Sequence, residues 1–339
     1  MTRPTLPLFP ILEKSPLVGI ARLASEGESL REGHNVEYFT LPARSLLNRC
    51  VSHRRLPFTW TINPYRGCEF ACKYCYARYT HEFMEMHDGA EFEQKIYVKQ
   101  HTAELLRHGL RRVKAGEAIA LGTATDPYQP AERRYEVTRE ILQEFARHRG
   151  FELGIVTKSD FIVRDLDLLR DVARHNTLSI HITVTTMNVG LARILEPRAP
   201  RPDLRIAAVR ELSQAGINVG VSASPVLPGI TDSPASLEDV VRAAASAGAC
   251  HIFAGPLFLK PCSAAIFLPF LEKEFPHLVE NYRQRYRNRS FLPPSYGKGI
   301  AQLVTQFRQK YGIKHADPRG AMYANQWPVT ALDEQLALF

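Results

Sequence analysis

Long apolar runs free of polar interruption are scarce in this chain of 339 residues. The uncharged stretches 212–231 and 243–259 are studded with Gly, Pro, Ser and His. They read as buried strands with their turns, so no membrane-spanning helix is expected. A secretory leader is missing from MTRPTLPLFPILEKSPL, where prolines break the apolar run and Glu and Lys follow at once. A cytoplasmic location is therefore the expectation. Acidic residues are the scarcer charge, 35 against 43 Lys and Arg, and the net charge of +8 suits polyanionic partners without specifying one. Disorder is excluded as the dominant state, because 45% hydrophobic content with 17 Phe and 13 Tyr supplies ample core. The length fits one large domain or two modest ones.

Basic residues partly cluster. Arg44, Arg49, Arg54 and Arg55 form one group, and NYRQRYRNRS interleaves Arg283, Arg285, Arg287 and Arg289 with Tyr282 and Tyr286. That segment reads either as a solvated helix face or as a surface for phosphate contact with base stacking.

Cysteine is sparse and unevenly placed. The six residues are Cys50, Cys68, Cys72, Cys75, Cys250 and Cys262, a spacing unlike a secreted disulfide framework. Three of them form CEFACKYC, a C-x3-C-x2-C run that can wrap three thiolates around one inorganic centre. Structural zinc requires four protein ligands. Here no fourth Cys or His sits at conventional spacing; Cys50 lies 18 residues before Cys68, and His81 lies 6 after Cys75. Three thiolates suit a [4Fe–4S] cluster with one open iron. The segment NPYRGCEFACKYCYAR resembles the cluster loop of radical S-adenosylmethionine (SAM) enzymes, with Tyr74 at the aromatic position before the third cysteine.

That resemblance implies a partial barrel, and the periodicity agrees. Strand-like segments recur at 58–65, 118–125, 152–159, 178–186, 217–226 and 251–259. Between them lie amphipathic segments such as HTAELLRHGLRRV, YEVTREILQEFARH and DLDLLRDVARH, several ending in Gly or His. The expected fold is α/β, a partial (β/α)6 TIM-like barrel of the radical SAM type spanning 58–262. An N-terminal extension (1–57) precedes it, and a helical and loop segment (263–339, with Pro328 in an acidic-apolar tail) closes one side.

Sites on such barrels gather at the carboxyl ends of the strands. The run GTATDP, IVTKS, ITVTT, the LEP segment and INVGVSASPV is similar to spore photoproduct lyase and its DNA-photolyase-like relatives. The resemblance implies that Lys158 and Thr183 help hold SAM, with Asp126 a third cofactor-binding candidate, and that Cys68, Cys72 and Cys75 hold the cluster. Taken residue by residue, GTATDPYQPAE also reads as a turn around Asp-Pro, and Glu196 with Arg198 as a surface pair. In the lyases a cysteine at the end of the second strand returns a hydrogen atom to the substrate. Thr123 stands there in this chain, and its O–H bond is too strong for that role, so spore photoproduct repair is not expected. Tyr74 and Tyr76 match the radical-relay tyrosines, which makes them, with Thr123, the catalytic candidates; unless Cys250 or Cys262 substitutes for the donor, hydrogen must come from elsewhere or the product must form differently.

The family's chemistry implies an electron from a reduced flavodoxin or ferredoxin, cleavage of SAM to a 5′-deoxyadenosyl radical, and hydrogen abstraction from a substrate. Whether SAM is consumed stays open. A nucleic acid is the leading substrate class, a small molecule or peptide the second, and a zinc-containing, non-catalytic nucleic-acid-binding protein the third reading. Cys50, Cys250 and Cys262 suit either an auxiliary cluster or buried thiols. His81 and His87 read as polar-face residues, and His181 as a core histidine near the barrel interior.

Overall fold

The structure is a computed structural model that describes residues 17–33, 35–50 and 56–314. Arg54, Arg55, the first sixteen residues and the tail with Pro328 lie outside the described residues. Eleven strands are present among the described residues: β1 (Ser29–Gly33), β2 (Val36–Leu41), β3 (Leu47–Arg49), β4 (Trp60–Ile62), β5 (Tyr65–Arg66), β6 (Lys95–Lys99), β7 (Ala118–Leu121), β8 (Glu152–Thr157), β9 (Thr177–Thr183), β10 (Val219–Val226) and β11 (Ile252–Pro256).

The larger sheet runs β11-β10-β9-β8-β7-β4-β3. Its six strands from β4 to β11 are parallel and lie in chain order, while β3 pairs antiparallel with β4. A sheet wound in one direction has no topological switch point, so its helices collect on a single face, as in a barrel. Alternation within the strands shows the same thing. Ile119 and Leu121, Ile155, Ile180 and Ile182, and Val221 belong to the core shared with helical residues such as Ile141, Leu169 and Val209. The intervening positions carry Thr61, Ser179, His181, Thr183 and Ser222, a polar inner wall. The expected strands and helices all occur; the intervening helices include Thr102–Leu110, Val137–Ala146, Leu166–His175, Pro202–Gln214 and Pro234–Ser246.

A second sheet, β1-β2-β6-β5, was not expected. Its strands are short and come together across long sequence separations: β2 lies parallel to β6, and β5 antiparallel to it. Because β5 directly precedes the cysteines, this sheet anchors the near side of their loop. On the C-terminal side, helices Pro261–Glu274, Val279–Arg285 and Pro294–Tyr311 follow the last strand. Tyr282 and Tyr286 turn inward from the second of these helices and the residue after it, their hydroxyls donating to the carbonyls of Pro228 (2.9 Å) and Leu257 (2.8 Å). The base-stacking expectation for that segment is therefore corrected: its tyrosines are needed in the core, while Arg283, Arg287 and Arg289 face solvent. No described helix is long and apolar enough to cross a membrane.

Candidate functional site

The cysteine loop is fastened at nearly every turn. Gly67 opens it at φ +83°, where a Cβ would lie 2.6 Å from the Lys95 carbonyl oxygen, so only glycine fits. Cys68 N–H donates to Phe92 O (2.9 Å), Lys73 N–H to Leu195 O (2.9 Å), and Ser263 Oγ to Cys75 O (2.9 Å). Arg78, fully buried, donates to Cys72 O (3.1 Å) and pairs with Glu93 at 2.6 Å. The loop after β7 grips the same segment: Thr125 Oγ1 (2.6 Å) and Gln129 Nε2 (3.1 Å) both donate to Gly67 O. Gln129 also accepts from Glu69 N–H, and the Tyr65 hydroxyl donates to Glu132 at 2.5 Å. GTATDPYQPAE is thus the clamp on the cysteine loop. It is a turn as well, since Asp126 Oδ1 accepts from Tyr128 N–H at 2.9 Å.

None of the six cysteines is in a disulfide. Burial pushes the Cys68 thiol well up, reinforced by Asp126 and by the other two cysteines of the loop. Burial also pushes Cys72 up to about 12, with Lys158 opposing and Glu196 and Cys75 adding. The three thiols therefore lie within electrostatic reach of one another. Yet among the described residues no three His, Cys, Asp or Glu side chains gather tightly enough to share one metal ion. Three thiols on one loop fit a cationic group with its own sulfide, which would relieve the repulsion among three thiolates.

On one side of the loop, every buried charge has an internal partner. Glu196 pairs with Arg205 at 2.5 Å, both fully buried, and accepts from the Tyr74 hydroxyl and from Thr185 Oγ1 (3.2 Å). Burial would raise the Glu196 carboxyl, but Arg205 and Lys158 outweigh it and hold it below its ordinary value. Arg205 also donates to the carbonyl oxygen of Thr183 (3.1 Å), at the end of β9. Arg198 is exposed and does not pair with Glu196, so the expected surface pair is replaced by a buried one. Asp126 accepts from Thr157 Oγ1 (2.6 Å) and from Lys158 N–H (2.7 Å), tying β7 to the end of β8. The Lys158 ammonium lies 5.7 Å from the Tyr74 ring centroid. Burial pulls it down, but Cys72 and Glu196 prevail and its net shift is upward.

On the other side, the Tyr76 hydroxyl donates to the Thr123 carbonyl, and Thr123 Oγ1 meets Asn63 Nδ2 at 3.3 Å. Tyr76 stacks on Tyr79 (6.5 Å) and lies 6.1 Å from Phe258, which itself stacks on Phe291 at 4.3 Å. Cys262, next to Ser263, lies within electrostatic reach of Tyr79. Cys250 belongs to the opposite end of the barrel, where its thiol contacts Asn218 Oδ1 (2.7 Å) and His251 Nδ1 (3.1 Å). His251 in turn meets His181 at 2.9 Å. Of the two histidines after the loop, His87 is exposed, whereas His81 is buried with Nε2 on the Lys95 carbonyl (3.1 Å). Burial and the nearby cations pull His81 down to about 4. Reading motifs alone missed Arg78, Gln129 and the Glu196–Arg205 pair. No local signal marks them, because their partners lie far off in the chain or across a turn.

A family model described as the radical SAM superfamily matches residues 62–242, more than half of the chain. An uncharacterised protein of Mycobacterium tuberculosis is 36% identical over 279 residues, covering 82% of each chain. One of Methanocaldococcus jannaschii is 28% identical over 256 residues, 74% of this chain and 86% of that one. Among solved structures, spore photoproduct lyase with bound AdoMet and dinucleoside spore photoproduct superposes with TM-score 0.62 at 14% identity, covering 81% of this chain and 79% of the lyase. At that identity the likeness is one of fold. The one-way parallel sheet, the three-thiol loop at its mouth and the matched domain lead to one conclusion: the chain belongs to the radical SAM superfamily, enzymes that work with a [4Fe–4S] cluster and S-adenosylmethionine.

Proposed function

We propose that Cys68, Cys72 and Cys75 hold the [4Fe–4S] cluster and that the enzyme abstracts hydrogen from a nucleic-acid substrate. The observation that carries the first part is the set of three thiols, two buried and one half-buried, each within electrostatic reach of the others, on a loop fastened from both sheets. When bound, the cluster and SAM supply a 5′-deoxyadenosyl radical on receipt of an electron, for which a flavodoxin or ferredoxin is the expected donor.

This chain's own residues do the rest. Asp126 holds the backbone at Lys158, which offers its ammonium to the SAM carboxylate, and Thr183 closes that side at the end of β9. Glu196 and Arg205 keep Tyr74 in place against the loop. Tyr76, fixed on the Thr123 carbonyl, presents its ring toward Phe258. The net charge of +8 and the exposed Arg287 and Arg289 support a polyanionic substrate. Thr123 favours a second reading, a small molecule or peptide, because no thiol stands where the lyases keep their hydrogen donor.

The test is anaerobic. Reconstituted enzyme with SAM and a strong reductant should form 5′-deoxyadenosine, and Cys72→Ala should form none. Binding of single-stranded oligonucleotides should weaken steeply with salt. No binding at low salt would end the nucleic-acid part and leave the second reading.

A further inference from the structure

Cations without counter-charges line the side of the loop that faces Tyr76. Arg66 lies in β5 opposite Tyr97 of β6, so Arg66 and Lys99 share one face of this ribbon as diagonal neighbours, about 7–8 Å apart at Cβ. Lys99 is only 5% exposed. Arg66 is half-buried. Among the described residues neither side chain has an ion pair or a hydrogen-bond acceptor, and the head groups of both keep contact with solvent. Tyr79 is 3% exposed, lies within electrostatic reach of Arg66, and its hydroxyl has no hydrogen-bond partner. Lys260 sits 3.6 Å from the Tyr79 ring centroid, and the carboxylate that acts on it, Glu82, is exposed. His81 adds no charge near neutral pH, being pulled down to about 4. Burial and Arg66 together pull the Lys99 ammonium down to about 7.

Burying like charges with no counter-ion is costly, and folds rarely retain such groups without use. Three donors meet here with no internal acceptor: a guanidinium, an ammonium and a phenol. We propose that Arg66, Lys99 and the Tyr79 hydroxyl form a binding subsite for a phosphate group of the substrate, with Lys260 at its rim. The inference rests on the nucleic-acid reading of the active site for the identity of that group, a backbone phosphodiester. The rings of Tyr76 and Phe258 are then placed to stack on an adjoining base. A guanidinium and an ammonium acting together suit phosphate oxygens in number and charge.

The test uses full-length, anaerobically reconstituted protein and three probes: a thymidine dinucleotide with its phosphodiester, the same dinucleotide with a neutral methylphosphonate linkage, and inorganic phosphate. Wild type should bind the phosphodiester more tightly than the methylphosphonate. Lys99→Met and Arg66→Gln should each weaken phosphodiester binding by roughly ten- to a hundredfold and leave methylphosphonate binding unchanged. Cluster absorbance should stay at the wild-type level in both variants, and Arg66→Lys should restore part of the affinity. Equal phosphodiester binding by wild type and both variants overturns the subsite while leaving the nucleic-acid reading intact. If no dinucleotide binds but inorganic phosphate raises the melting temperature of wild type and not of Lys99→Met, the anion subsite stands and the nucleic-acid reading falls. No response to any probe overturns both. The wild-type comparison of the two linkages needs no variant, so a poorly folding substitution does not spoil the test.

Discussion

Two walls flank the cysteine loop, and they treat buried positive charge in opposite ways. On the Lys158 side, Arg205 is paired with Glu196, and Lys158 is set by Asp126 and influenced by Glu196. On the Arg66 side, Arg66 and Lys99 have no carboxylate partner among the described residues, and Tyr79 keeps an unused hydroxyl. In the first wall the Glu196–Arg205 pair is complete in itself and serves to hold geometry. The second is incomplete, which suits a surface that finishes its interactions with a ligand. The same residue types thus play different roles because Arg205 meets an acid and Arg66 and Lys99 do not.

The most damaging way to probe this contrast is Glu196→Gln. It leaves Arg205 buried without its counter-charge and should cost about 3–5 kcal/mol, read as a large fall in melting temperature. Lys99→Met should act in the opposite direction. The Lys99 ammonium falls from an ordinary 10.5 to about 7 in the folded chain, so the unfolded chain binds the extra proton. The wild-type penalty is complete below about pH 7 and fades as pH rises toward 10.5. Lys99→Met should therefore gain up to roughly 4 kcal/mol at neutral pH and almost nothing at pH 10.5, by denaturant melts across that range. A loss of stability would mean that Lys99 braces the fold and would erase the contrast.

His81 belongs to the same uncompensated wall, with its ring pulled down to about 4 by burial and by Arg66, Lys95 and Arg78 against the Lys95 carbonyl. Its contribution is present above pH 6.5 and lost as pH falls toward 4, roughly 3 kcal/mol in all. His81→Asn should flatten that part of the acid-unfolding curve. Asp126→Asn removes the carboxylate that accepts from Lys158 N–H and Thr157 Oγ1. It should cost about 1.5–3 kcal/mol and weaken SAM binding, measured calorimetrically, without changing the cluster's absorbance. The smallest effect is expected from Arg287→Ala with Arg289→Ala on the solvent face. Stability should move by less than about 0.5 kcal/mol, while the salt dependence of oligonucleotide binding becomes shallower.

How much of this was legible beforehand depends on the distance between partners. The three cysteines lie within eight residues, so the loop they share could be read directly. The six parallel strands could be read because each carries its own apolar alternation, and their chain order is their spatial order. The second sheet could not, since β2 and β6 are short and meet across more than fifty residues. The segment with Tyr282 and Tyr286 misled for a related reason. Its Arg/Tyr spacing is the same whether the rings face solvent or core, and only the hydroxyl contacts with Pro228 and Leu257 decide it.

By itself, then, the sequence determined the barrel and the cysteine loop, because these depend on local periodicity and close spacing, and the likeness of that loop to radical SAM enzymes supplied the cofactor class. It also determined that Thr123 supplies no thiol at the end of the second barrel strand. Tertiary structure alone decided that Glu196 pairs with Arg205 rather than Arg198, that GTATDPYQPAE clamps the cysteine loop, and that half-buried Arg66 and buried Lys99 share one face without acids. A charge's meaning depends on its burial and on which groups surround it, and both are properties of the folded chain.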